Sequence, residues 1–192
     1  GYQLADICIL VRTNKVGIIV TNALLSGFYH PLKQSIPVIS SESLLLSASE
    51  AIKLLIHQLK YLQNTSDQIL ESFIRLTWFK HNASKPGLYF DPSDVFNLEN
   101  ESVWQNYKNQ ILKLQERPLY ELATQLIELM PVGLKEHHSV YIQSFMSLLL
   151  DFINNETADL SAFIDFWDKH AVQFCLPVPE SQQAIKAMTI HK

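Results

Sequence analysis

The spacing of apolar residues changes twice along this chain. The segment Asp6-Ile-Cys-Ile-Leu-Val-Arg12 is a continuous apolar run with a charge at each end, the pattern of a strand buried in a parallel sheet. Asn14 is placed to cap a helix in which Val16, Ile19, Val20, Ala23 and Leu24 recur at helical spacing, and Gly27 closes it. Ile36-Pro-Val-Ile-Ser40 predicts a second short strand, with Pro37 favouring an edge or a strand start. Ser47-Ala-Ser-Glu50 fits a capping box, and Ile52, Leu55, Ile56, Leu59 and Leu62 form the stripe of the next helix. Helical spacing then dominates, over 67–79, 102–115, 118–130, 139–154 and 161–173, with Pro118 opening one helix and Ser161 capping the last. The interval 81–101 reads as a loop, because Pro86-Gly87 and Asp91-Pro92 are turn signals. Finally Ala184-Ile-Lys-Ala-Met-Thr-Ile190 alternates as a strand does.

The order is therefore an α/β segment, an all-helical block and a returning strand. A block entered and left from one sheet is an insertion. The expected fold is mainly α: a helical insertion plus a small α/β part formed by both chain ends. The expected divisions are 1–62, 63–172 and 173–192. This topology requires the first and last strands to be neighbours in one sheet.

Charge refines that division. Residues 1–62 carry five Lys/Arg against three Asp/Glu, residues 63–172 eight against fifteen, and residues 173–192 two against one. Phosphate binding needs clustered cations, so the two ends suit nucleic acid better than the acidic middle does. The 47% hydrophobic and 18% charged composition is that of a folded globular chain. The longest apolar stretches are broken by charged or amide residues, so no membrane span is expected, and Asp6 interrupts the first of them, which argues against a signal peptide.

Candidate chemistry is sparse. Cys8 and Cys175 are expected to be reduced and buried, as in a cytoplasmic protein. The seven histidines lack ligand spacing, and no metal site is expected. Most of Phe73, Trp78, Trp104, Tyr107, Phe145, Phe152, Phe166 and Trp167 sit at core spacing. Trp78, beside Lys80 and His81, is the one that stands out as a possible base-stacking platform. Glu99, Glu101, Glu116, Glu121, Glu128 and Glu136 read as a solvated face.

Two terminal segments carry a resemblance. Asp6-Ile-Cys-Ile-Leu-Val-Arg12-Thr13-Asn14 is similar to motif IV of UvrD/Rep-type superfamily 1 DNA helicases, and Met188-Thr189-Ile190-His191-Lys192 is similar to the opening of motif V. The wording is closest to the RecB/AddA-like branch. The resemblance implies that residues 1–62 and 173–192 belong to the second, RecA-like motor domain. It implies that 63–172 is the accessory (2B-type) insertion. Arg12 would reach the γ-phosphate of ATP, as both a catalytic and a cofactor-binding residue. Thr189 and His191 would lie on the single-stranded DNA track. Val11 stands where many relatives place an adenine-stacking tyrosine.

No Gly-x-x-x-x-Gly-Lys-Ser/Thr loop occurs in the sequence. ATP and Mg²⁺ are thus expected in a longer parent and not on this chain alone. The implied parent is an ATP-dependent helicase, or helicase–nuclease, of DNA recombination or repair, acting on single- and double-stranded DNA. The acidic insertion is expected to contact partner proteins. The alternative is a self-standing helical interaction module. A small enzyme using Cys8 or a histidine is a third reading.

Overall fold

In a computed structural model of the chain, residues 2–25, 38–40, 45–82, 95, 98–176 and 184–189 are described. They divide into two compact units, one of residues 1–48 with 172–192 and one of residues 49–171.

The first unit is built on three parallel strands. β1 is Cys8–Val11, β2 is Val38–Ser40, β3 is Ile185–Thr189, and β3 lies between the other two. Cys8 pairs with Lys186 and Val11 with Thr189, while Val38 pairs with Ile185. The first and last strands are therefore neighbours, as the insertion topology requires. Helix α1, Asn14–Leu25, packs against all three strands. Val38, Ile185 and Ala187 form the small core, with Leu4, Ile9 and Leu24 against it.

Four expectations change in this unit. The helix cap is Thr13 rather than Asn14, since Thr13 Oγ1 accepts the Val16 N–H at 3.4 Å. Of the predicted stripe, Val16 and Ile19 are exposed, and the helix instead buries Gly17 and half-buries Val20, Ala23 and Leu24. The sheet is likewise covered on one side only: Cys8, Leu10, Lys186 and Met188 alternate outward and remain exposed. Cys8 and Cys175 are both free and exposed, not buried as expected. A continuous apolar run predicts burial on both faces, and here the described residues cover one.

Where the chain leaves and rejoins this unit, its two arms are tied. Leu45 and Cys175 form an antiparallel bridge, and the Leu46 N–H donates to the Phe174 carbonyl at 2.9 Å.

The second unit is helical: α2 (Glu50–Gln63), α3 (Gln68–Asn82), α4 (Leu98–Leu112), α5 (Leu119–Glu128), α6 (Val132–His137), α7 (Ser139–Asn155) and α8 (Leu160–His170). α2 is the hub and packs against each of the other six helices. It buries Ala51, Ile52, Leu54, Leu55, Ile56, Gln58, Leu59, Tyr61 and Leu62, far more than one stripe. A helix apolar on nearly every side belongs at a centre. This moves the division from residue 62 to Ala48, because α2 serves the helical core.

Local signals also shift. Ser49, not Ser47, caps α2, its Oγ 3.5 Å from the Ile52 N–H. Asp159, not Ser161, caps α8, accepting from Ala162 N–H at 2.8 Å. Pro118 is the N-cap of α5 and not its first residue. The short helix α6 was not anticipated; Pro131 starts it. Positions 98–101, read as loop, are the first turn of α4. Part of that predicted loop, 83–94, lies outside the described residues, as do Gly27, Pro37, Pro86 and Gly87. No helix among the described residues is long and apolar enough to cross a membrane.

Two aromatic groups fill the helical core. Phe145 stands edge-on to Phe163 and Trp167 at centroid distances of 5.8 and 5.3 Å, and Phe152 meets Phe163 at 5.3 Å. Trp78 stacks on Tyr107 at 4.5 Å. Phe163 is fully buried, so Phe163→Ala is expected to lower unfolding free energy by about 3–5 kcal/mol. An unshifted urea midpoint would contradict this packing. Both thiols are expected to react rapidly with a thiol-specific dye in the folded protein. Two slow thiols that react only in denaturant would contradict the exposure.

Candidate functional site at the carboxyl rim of the sheet

Parallel strands end on the same side, so residues that follow them are gathered at one rim. In open α/β sheets that rim, at the carboxyl ends of the strands, is where ligands bind. Arg12 directly follows β1 and is exposed. Thr189, the last residue of β3, is the ladder partner of Val11, one residue before Arg12. The chain then turns at Arg12 and Thr13 into α1. The Gly17 N–H reaches the Thr13 carbonyl at 3.0 Å, closing the first turn of that helix. The early N–H groups of a helix have no intrahelical acceptor and favour anions.

The rim thus brings together an exposed guanidinium, a helix N-terminus and the end of β3. A guanidinium beside such N–H groups can hold a phosphate by bidentate hydrogen bonds. The structure joins the Arg12 and Thr189 positions. His191 falls outside the described residues, as do Ile190 and Lys192. The sequence holds no phosphate-loop motif, so the rim's described contribution to anion binding is Arg12 and the N-terminus of α1.

The helical unit holds polar clusters that the sequence did not disclose. At the start of α2, Ser49 Oγ lies 2.9 Å from His138 Nδ1. Glu50 binds Lys80 Nζ and His81 Nε2, both at 2.7 Å. Burial works to raise the Glu50 carboxyl, but the Lys80 and His81 bonds outweigh it and hold it below its ordinary value. Ser49 is buried and already serves as the cap of α2, so its hydroxyl is a structural link and has no open path to a substrate. Further along, Glu71 accepts from Trp104 Nε1 at 3.1 Å and Lys108 Nζ at 2.8 Å. These bonds overcome burial and lower its pKa. Arg75 is buried, bonds the Val95 carbonyl and Glu101, and lies over the Phe79 and Trp104 rings. Glu101 and Glu121 are thus ion-paired, with Arg75 and Arg117, and are more than a solvated face.

Trp78, expected to be the unusual aromatic, is packed against Phe79 and Tyr107. The unusual one is Phe73, half exposed and stacked on His57 at 5.5 Å. Its signal in the sequence was the surplus of apolar residues in α3, since Ile69, Phe73 and Leu76 add a second stripe beside Leu70 and Ile74. Among the described residues no three His, Cys, Asp or Glu converge as metal ligands.

No protein-family model matches the chain, and no curated protein sequence matches it.

Two histidines make the helical unit sensitive to acid. Burial lowers the pKa of His138, and the charges of His81, His137 and Lys53 push the same way against Glu50. Burial, then Lys60 and Lys53, lower that of His57. A folded-state pKa below the unfolded value means the fold binds fewer protons. Stability from these groups is full above about pH 6.5 and is lost as pH falls through their lowered values. Glu50 and Glu71, also lowered, act in a more acidic window, below about pH 4.5. Urea midpoints should therefore hold steady above about pH 7 and decline toward about pH 5. A His57→Gln/His138→Gln chain should show a flatter decline, and an equal slope in both proteins would refute the assignment.

Proposed function

We propose that this chain is the part of a UvrD/Rep-type DNA helicase, of the RecB/AddA-like branch, that runs from motif IV to the opening of motif V. In this reading the sheet unit is part of the second, RecA-like motor domain. The helical unit is its accessory insertion. The parent unwinds DNA with energy from ATP during recombination or repair.

The observation that supports it most is the ladder between β1 and β3. The two segments that resemble helicase motifs lie at opposite ends of the chain, and a chance resemblance gives no reason for them to be adjacent. The sheet agrees in a second respect. It is parallel, and among the described residues one face lacks cover, with Leu10 61% and Met188 45% exposed. A parallel sheet normally carries cover on both faces, which suits a partial domain.

The role of Arg12 follows from its chemistry. When ATP occupies the cleft between two motor domains, negative charge develops on the β–γ bridging oxygen as that bond breaks, beside the charge the γ-phosphoryl oxygens already carry. A planar, permanently charged guanidinium at the rim neutralises that charge. Mg²⁺ and the phosphate loop would be supplied by the other motor domain. Thr189 would place a hydroxyl near the DNA backbone, and His191 an imidazole. The acidic balance of the helical block favours contact with proteins over a grip on duplex.

Arg12→Ala in the parent protein tests the reading. ATP hydrolysis should fall about 10³-fold or more, with nucleotide affinity changed far less. Unwinding should be lost with it. Full ATPase activity in the variant would overturn the assignment. The alternative, a self-standing helical interaction module, predicts no DNA-dependent ATP hydrolysis in any protein that contains this segment.

A further inference from the structure

The helical unit carries an exposed apolar stripe on α3. Ile69 is 71% and Phe73 50% exposed, and Leu76 continues the same side of the helix. Their spacing of four and three residues places them one above another. Together they line an apolar groove of about 430 Å³. Lone exposed apolar residues are ordinary, but a contiguous stripe marks a contact surface.

Basic side chains of α2 run beside the stripe. His57, on α2, stacks on Phe73 at 5.5 Å. Lys53 and Lys60 lie one turn to either side of it on the same face of α2, near enough to depress its protonation. Lys60 is engaged with Asp168 at 2.7 Å. The Lys53 ammonium is exposed and has no ion-pair or hydrogen-bond partner among the described residues. Lys53 therefore leaves one uncompensated positive charge beside the stripe, although the block around it is acidic.

We propose that the α2–α3 face is a docking site for an acidic amphipathic helix of a partner protein. Its apolar residues, at intervals of three and four, would lie along Ile69, Phe73 and Leu76. Its carboxylates would face Lys53. A groove lined by apolar side chains at these intervals matches helix-in-groove recognition. The uncompensated lysine selects an acidic occupant, because a basic one would meet like charge. Phe73 on His57 resembles a base-stacking platform, but the groove beside it is mainly apolar and offers a nucleic-acid backbone few cations. A protein helix is the better fit. The site stands on the helical unit itself and does not depend on the helicase reading.

The probe is a fluorescent helical peptide with leucines at positions i, i+4 and i+7 and flanking glutamates, paired with a second in which lysines replace the glutamates. Anisotropy titrations on the whole chain should show the acidic peptide binding about ten-fold more tightly or better. Ile69→Ser and Phe73→Ser, both at exposed positions, should each weaken it by about ten-fold while far-ultraviolet dichroism stays unchanged. Lys53→Glu should erase or invert the preference between the peptides. Equal binding of both peptides, no binding of either, or binding indifferent to these variants overturns the proposal. Self-association in sedimentation that Phe73→Ser abolishes would assign the face to a second copy and overturn it too. So would oligo-dT binding that depends on Phe73 where acidic peptide binding does not.

Discussion

The ladder between β1 and β3 is the contact on which this architecture depends. It joins residues 8–11 to residues 186–189 across nearly the whole chain. Closing so long a loop costs entropy, though the cost grows only slowly with length. What repays it is modest: one short parallel ladder on either side of β3, and a core of Val38, Ile185 and Ala187 beneath α1. Sheets this small are marginal without cover. The helical unit needs no such closure. Its contacts are among successive helices around α2, and its own core is large, so its order does not wait on the ends of the chain.

Within the helical unit, buried polar groups are set where they specify pairing. Gln58, fully buried at the hub, donates to the Tyr107 hydroxyl at 2.6 Å. Burial pushes the Tyr107 phenol well up, so it stays neutral. Glu71 binds groups on α2, through Tyr61, and on α4, through Trp104 and Lys108. Such groups cost stability when left alone and fix one arrangement when satisfied. Hydrophobic packing would tolerate several rotations of α3 against α4, whereas these bonds select one.

Element type was legible wherever periodicity was long. The helices at 68–82, 119–128 and 139–155 lie close to their expected places, because 10 to 17 residues of pattern average out local exceptions. Caps were less legible. Ser47, Ser49, Asp159 and Ser161 are all chemically able to cap, and only the backbone decides which does. The stripe Ile52, Leu55, Ile56, Leu59 and Leu62 predicts a one-sided helix, whereas α2 also buries Leu54 and Tyr61. Its membership of the helical core could not be seen without knowing how many helices surround it. Of the rim, Arg12 and Thr189 were identified from the sequence, and their adjacency followed from topology. The pairing beside the apolar groove was not, since His57 and Phe73 belong to different helices and meet only when the α2–α3 hairpin closes.

The tied arms at Leu45–Leu46 and Phe174–Cys175 have an implication for history. Domain insertions are tolerated where the two points of attachment lie close together. Here the chain leaves and returns through a stem already stitched by main-chain bonds, so the 49–171 block behaves as a cassette. It could be acquired, enlarged or shed by an ancestor without shifting the register of a single strand. Lineages could then diverge in what the helical block greets while the rim of the sheet kept one geometry.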